Sequence, residues 1–173
     1  MWSFLKTSAY LLLLLVIFSG GVEAQGGQHP LVGTSVTAAE VTTVEGKPVV
    51  LRYADRPTVL FIVSSGCSWC ERNGEAIALL HGRLASKYRF VGLGMTERAT
   101  TAFVARLPFP VYTIPSPTSE SWRPYGLGAT PSLMVIASGG RIERVWTGAI
   151  RADRQRDIEQ FFGMSLPTLD DPQ

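Results

Sequence analysis

Residues 58–70 read TVLFIVSSGCSWC, and this stretch decides the fold. Thr58 to Val63 is an essentially continuous apolar run of strand length, the pattern of a strand buried on both faces. Ser64-Ser65-Gly66 ends it. From residue 68 to 86, Ile77, Leu79, Leu80 and Leu84 recur between the charged Glu71, Arg72, Glu75 and Arg83, which is helical spacing. Gly74 and Gly82 weaken that helix by about 1 kcal/mol each relative to alanine. Cys67 and Cys70 therefore sit where a buried strand gives way to a helix.

Working outward, Phe90 to Leu93 is a second short apolar run. Thr96 can cap a helix from Glu97 to Leu107, which Pro108 and Pro110 stop. Val111 to Ile114 reads as a strand, and Ser119 to Tyr125 as a short helix interrupted by Pro124. Ser132 to Ala137 is a strand, Ser138-Gly139-Gly140 a turn, and Ile142 to Thr147 its antiparallel partner. Arg151 to Phe162 is a helix with Ile158, Phe161 and Phe162 inward and Gly163 as C-cap. On the other side, Val41–Val44 and Val49–Leu51 flank Glu45-Gly46-Lys47-Pro48, a β-hairpin. The order predicts an α/β protein: a central mixed sheet flanked by helices, with an added N-terminal hairpin. Its first half should be parallel and its closing hairpin antiparallel. Trp122 and Trp146 read as core, His81 as a surface histidine, and residues 151–157 as a solvated helix face.

Residues 1–24 have a different character. Lys6 precedes Leu11–Phe18, which contains no polar residue, and Ser19-Gly20-Gly21 and Val22-Glu23-Ala24 follow. This is the order of a secretory signal peptide cleaved after Ala24. The alternative is an uncleaved N-terminal anchor, although the uncharged stretch from Thr7 to Val22 falls short of the ~20 residues that span a bilayer. Either reading puts the working domain outside the cytoplasm, periplasmic or secreted. Residues 25–35 read as a flexible leader, 36–163 as the domain and 164–173 as a loose C-terminal tail. Cleavage would leave 149 of the 173 residues, enough for one core without disulfide staples.

The charge is nearly balanced, 16 Lys+Arg against 14 Asp+Glu, which argues against a nucleic-acid partner. Two cysteines exclude a disulfide-rich mini-protein and a four-cysteine zinc site. At a helix N-terminus, unpaired N–H groups and the dipole would stabilise a Cys67 thiolate and lower its pKa below the free value of about 8.5. Cys70, three residues on, shares the same face. Cys67 could attack a partner's disulfide and Cys70 resolve the mixed disulfide. Blander readings compete. A structural disulfide closing so short a loop would contribute only roughly 2 kcal/mol. A zinc site would have to draw on His29 or His81, and the pair could be inert core. A further motif is Gly128-Ala129-Thr130-Pro131, directly before the strand SLMVIA; a proline opening a strand offers no N–H to the ladder.

With these pieces in place, the chain resembles the thioredoxin superfamily, and more closely its extracytoplasmic TlpA/ResA-like redoxin branch. The likeness covers roughly residues 36 to 162. It rests on GKPVVLRYADRPTVLFIV, CSWC, Tyr125-Gly126-Leu127, ATPSLMVI and GGRIERVWTG. It implies a thioredoxin-like fold and a protein-disulfide oxidoreductase whose redox group is the Cys67–Cys70 disulfide, with no other cofactor. It also implies a cis Pro131, with the Thr130 backbone pairing to a substrate strand. Cys67 would be the nucleophile and Cys70 the resolving thiol. Trp69, between them, reads by its own chemistry as either a client-docking surface or a lid shielding the disulfide. There are departures. Val63-Ser64-Ser65-Gly66 replaces an aromatic WAxW-type segment, and Phe61 stands where thioredoxin has a buried acid. Asn73 stands where ResA-like proteins have a glutamate.

The partners so implied are client proteins with disulfides or dithiols and a membrane thiol electron donor or acceptor. Contact with the membrane itself is expected only if the N-terminal segment stays uncleaved. The resemblance favours a reductase in cofactor-protein maturation, of the cytochrome c type. The competing readings are a disulfide oxidase and a non-enzymatic thioredoxin-like assembly module that holds an extended chain at Pro131. A thiol peroxidase fits less well, since no proline leads the Ser64–Cys67 segment.

Overall fold

The structure, a computed structural model, describes residues 29–36 and 38–167. The proposed signal segment, the first residues of the leader and the end of the tail lie outside the described residues. Seven strands form one sheet in the order β2-β1-β5-β4-β3-β6-β7. Strand β3, Thr58–Val63, is buried along its whole length. It pairs in parallel with β4, Arg89–Gly94, and antiparallel with β6, Ser132–Ile136. A strand with neighbours on both edges and cover on both faces needs an unbroken apolar sequence, which TVLFIV supplies. β6 continues antiparallel into β7, Ile142–Thr147. On the other side β4 pairs in parallel with β5, Val111–Thr113.

The N-terminal hairpin is β1, Ala38–Thr42, with β2, Pro48–Arg52. Gly46 takes a positive φ of 79° in its turn, where a side chain would be strained. The hairpin joins the main sheet through Thr42 against Thr113.

Alternate residues of β3 divide the interior into two cores. Val59, Phe61 and Val63 meet Ile77 and Leu80 of α1 (Ser68–Leu84), Phe103 of α2 (Glu97–Val104) and Ile158 of α3 (Ala152–Phe162). Leu60 and Ile62 meet Trp122, Tyr125, Val36 and Leu51. The three helices thus contribute to one core, and the other is closed by the hairpin and by non-helical segments. Among the described residues no helix is long and apolar enough to cross a membrane.

Several boundaries differ from expectation. α2 stops at Val104 rather than Leu107, and the chain closes in a turn in which the Arg106 and Leu107 N–H groups both donate to Phe103 O, at 3.0 and 3.1 Å. Only Arg123–Tyr125 of the expected 119–125 helix forms, as a single 3-10 turn beginning around Pro124. The leader is not loose from His29 onward. The Gly33 N–H donates to Ile142 O, Val36 N–H to Gly140 O, and Ile142 N–H to Thr34 O, so it lies along the start of β7. Leu166 in the tail is buried, and its N–H donates to the Glu159 carboxylate at 2.7 Å. His81 is half-buried, its ring edge-on to Phe90 at 5.3 Å and 5.4 Å from Phe109, instead of lying on the surface. Trp122 and Trp146 are core residues as expected.

Candidate redox site

Gly66, at φ 72°, turns the chain from the end of β3 into α1. Cys67 is the N-cap of α1, extended in backbone, and its sulfur accepts the Cys70 N–H at 3.1 Å. Its carbonyl accepts from Cys70 N–H and Glu71 N–H at 3.0 and 3.3 Å. The two sulfurs are joined, with the Cα atoms 5.2 Å apart. Cys67 is half-buried and Cys70 is fully excluded from solvent. The asymmetry suits two tasks: an accessible sulfur beside helix N–H donors, and a protected one a turn inside.

The antiparallel register brings the second motif to the same end of the sheet. Ile62 faces Ser132, so one step outward Ser64 meets Thr130. Their hydroxyl oxygens are 2.6 Å apart and share a hydrogen bond. The Thr130–Pro131 peptide is cis, and Pro131 is buried. The Pro131 carbonyl accepts the Gly148 N–H at 2.7 Å, and the Ser132 hydroxyl donates to Ala129 O at 2.6 Å. The Thr130 backbone N–H and C=O have no hydrogen-bond partner among the described residues.

Trp69 is half-buried beside the disulfide, with the guanidinium carbons of Arg72 and Arg151 at 5.0 and 4.8 Å from its ring. Both distances are within cation–π range. Glu71 turns away to an exposed ion pair with Arg106 at 3.4 Å, a contact worth little.

Phe61 is wholly buried in the core. Asn73, also fully buried, accepts the Ile150 N–H on Oδ1 at 2.9 Å. The loop between β7 and α3 thus touches three parts of the site: Gly148 holds Pro131, Ile150 holds Asn73, and Arg151 covers Trp69. Sequence reading missed Ser64, Gly148 and Ile150 as parts of the site. Asn73 alone left a signal there, a polar residue on the apolar stripe of residues 70, 77 and 80.

No protein-family model and no curated protein matches the sequence. Solved structures do match the fold. A Chlorobium tepidum protein described as a thiol:disulfide interchange protein, DsbE, aligns with TM-score 0.62 at 18% identity, over 79% of this chain and 98% of its own. The thioredoxin domain of a thiol-disulfide oxidoreductase from Bacteroides vulgatus aligns with TM-score 0.59 at 17% identity, over 76% of this chain and 97% of that one. A secreted Mycobacterium tuberculosis disulfide oxidoreductase homologous to Escherichia coli DsbE aligns with TM-score 0.56 at 18% identity, over 72% and 93%. The chain therefore has the thioredoxin fold of the thiol-disulfide oxidoreductases, with its disulfide at the strand–helix junction and its cis-proline turn beside it.

Proposed function

We propose that the protein is an exported thiol-disulfide oxidoreductase that exchanges disulfides with client proteins through Cys67 and Cys70. The observation that carries this is the disulfide at the head of α1, its outer sulfur at the N-cap and its inner sulfur buried. In the reducing direction the Cys67 thiolate attacks a client disulfide and one client thiolate leaves. Cys70 then attacks the Cys67 sulfur, the second client thiolate leaves, and two electrons have passed to the client. The open backbone of Thr130 offers one N–H and one C=O to an extended client segment, in the manner of an added strand. Trp69 contributes an aromatic surface beside the sulfurs.

The direction we favour is reduction, with a cytochrome c-type or other cofactor-protein precursor as client and a membrane thiol carrier as electron donor. The motif resemblance to the ResA-like branch supports the reducing direction, and the signal-like character of residues 1–24 supports export. Trapping tests the exchange itself: Cys70→Ser expressed in the native host should accumulate mixed disulfides through Cys67. Their complete absence, with Cys67→Ser retaining full function, would overturn exchange in favour of a passive assembly module. Equilibration with glutathione buffers tests the direction. A potential near that of thioredoxin, about −270 mV, supports reduction, and one near about −120 mV identifies an oxidase.

A further inference from the structure

On α1, Cys70, Asn73, Ile77 and Leu80 follow one another at spacings of three and four, and all are fully buried. Asn73 is the polar member of this stripe. Its Oδ1 is committed to the Ile150 N–H, which sets the plane of the amide. The opposite end, Nδ2, is buried without a hydrogen-bond partner, the one such side-chain atom among the described residues. A buried amide donor left unpaired is costly, and it calls for a use in another state of the protein.

That state is the reduced one. Side chains on a helix lean toward its N-terminus, so Asn73 leans back toward Cys70, one turn earlier. In the disulfide the Cys70 sulfur carries no charge. Once the disulfide opens, the same buried sulfur must become a thiolate to attack, and burial alone opposes that. The buried polar residues of the described chain are Thr58, Asn73, Thr100 and Ser132, with no carboxylate among them. Three of these are already engaged: Thr58 with Arg89, Thr100 with Thr113, and Ser132 with Ala129 O. Asn73 has a donor unspent.

We propose that Asn73 is a positioning residue for the resolving cysteine, its Nδ2–H donating to the Cys70 sulfur when the disulfide is open. The inference rests on the exchange reading above. In the resolving step the Cys70 S–H proton passes to the departing client thiolate, and a Cys67–Cys70 bond replaces the Cys67–client bond. Asn73 neither takes nor gives a proton; its dipole holds the developing thiolate. The Ile150 N–H keeps the amide aimed, so the loop that holds Pro131 through Gly148 also orients the donor for Cys70.

The charged groups on the surrounding elements are Glu71, Arg72, Glu75 and Arg83 on α1, Glu97 and Arg98 on α2 with Arg106 after it, Arg151 in the loop, and Asp153, Arg154, Arg156, Asp157 and Glu159 on α3. All are exposed or half-buried, and variants at Asn73 leave them in place. In a Cys67→Ser background, Cys70 is the sole thiol and its ionisation can be followed by thiolate absorbance against pH. Asn73→Asp keeps the acceptor for Ile150 and removes the donor; Asn73→Ala removes the donor without adding charge. Both should lower the thiolate fraction at a given pH by about tenfold or more. In the unmutated protein, which needs no variant to fold, exchange of the Asn73 side-chain amide protons should slow on reduction. An unchanged Cys70 titration in both variants, or amide exchange that ignores the redox state, overturns the proposal. Wild-type protein that exchanges no client disulfide, with Cys70 still responding to Asn73, overturns the functional reading and leaves this contact standing.

Discussion

Replacing Tyr125 by phenylalanine removes one hydroxyl from the anchor that holds the chain leading into Thr130–Pro131. Tyr125 lies in the 3-10 turn, its ring 4.6 Å from Trp122, and its hydroxyl donates to the Tyr53 hydroxyl at 3.0 Å. Both tyrosines are 2% exposed, so no water replaces a lost partner. Either single variant, Tyr53→Phe or Tyr125→Phe, leaves one buried hydroxyl stranded, at about 1–3 kcal/mol. The double variant removes donor and acceptor together. It should cost less than the sum of the singles, by about 1–2 kcal/mol of coupling.

The same pair sets an alkaline limit. Burial raises the Tyr125 phenol to about 12, against a slight opposing effect of its bond to Tyr53. Tyr53 is raised further, first by burial and then by the neighbouring Tyr125. A raised acid stabilises the fold fully below its unfolded value, near pH 10, and loses that contribution as pH climbs through the folded value. For Tyr125, two units correspond to about 3 kcal/mol. Urea unfolding of the oxidised protein, followed by tryptophan fluorescence from neutral pH to pH ~12, measures both effects. The double variant should keep more of its neutral stability at high pH than wild type does. Singles that cost under about 0.5 kcal/mol, strict additivity, or an unchanged alkaline loss in the double variant would refute the reasoning.

Three further outcomes are expected. Gly94→Ala would set a Cβ 2.6 Å from the Thr100 backbone nitrogen and 2.9 Å from its Cα, so chemical denaturation should show a loss of about 2 kcal/mol or more; a neutral result would mean α2 shifts freely. The Gln155 side-chain amide, and after it the Leu166 N–H, hold the Glu159 carboxyl below its ordinary value of 4.5. That contribution is present above pH 4.5 and lost as pH falls through the lowered value, so the Leu166 amide resonance should move only below pH 4.5; movement confined to higher pH would contradict it. Trp69→Ala should slow exchange with protein clients by about tenfold while leaving exchange with glutathione unchanged, and equal slowing of both would remove the docking role.

Much of this molecule is legible in local pattern. TVLFIV shows a strand buried on both faces, because period and hydrophobicity are carried by consecutive residues. The placement of Cys67 and Cys70 at a strand–helix junction follows for the same reason, as do Thr96 capping α2 and Gly163 ending α3, with φ 66°. What local pattern does not carry is partnership across the fold. The Ser64–Thr130 hydrogen bond joins residues 66 apart, and the Asn73–Ile150 bond residues 77 apart. The leader from His29 reads as loose by composition, yet it is held by backbone bonds to the start of β7 that its side chains neither announce nor forbid. His81 reads as a surface residue until Phe90 and Phe109 close around it.

The sequence by itself determined the elements, the cysteine pair and the chemistry that pair can perform, since each depends on neighbours in the chain. The tertiary structure alone decided that Cys70 is sealed and Cys67 is not, that the Thr130–Pro131 turn stands beside them, and that the Asn73 amide, one turn after Cys70, spends its oxygen on Ile150 and leaves its nitrogen without a partner. Burial and hydrogen-bond satisfaction depend on which distant segments meet, and those meetings exist only once the sheet has assembled.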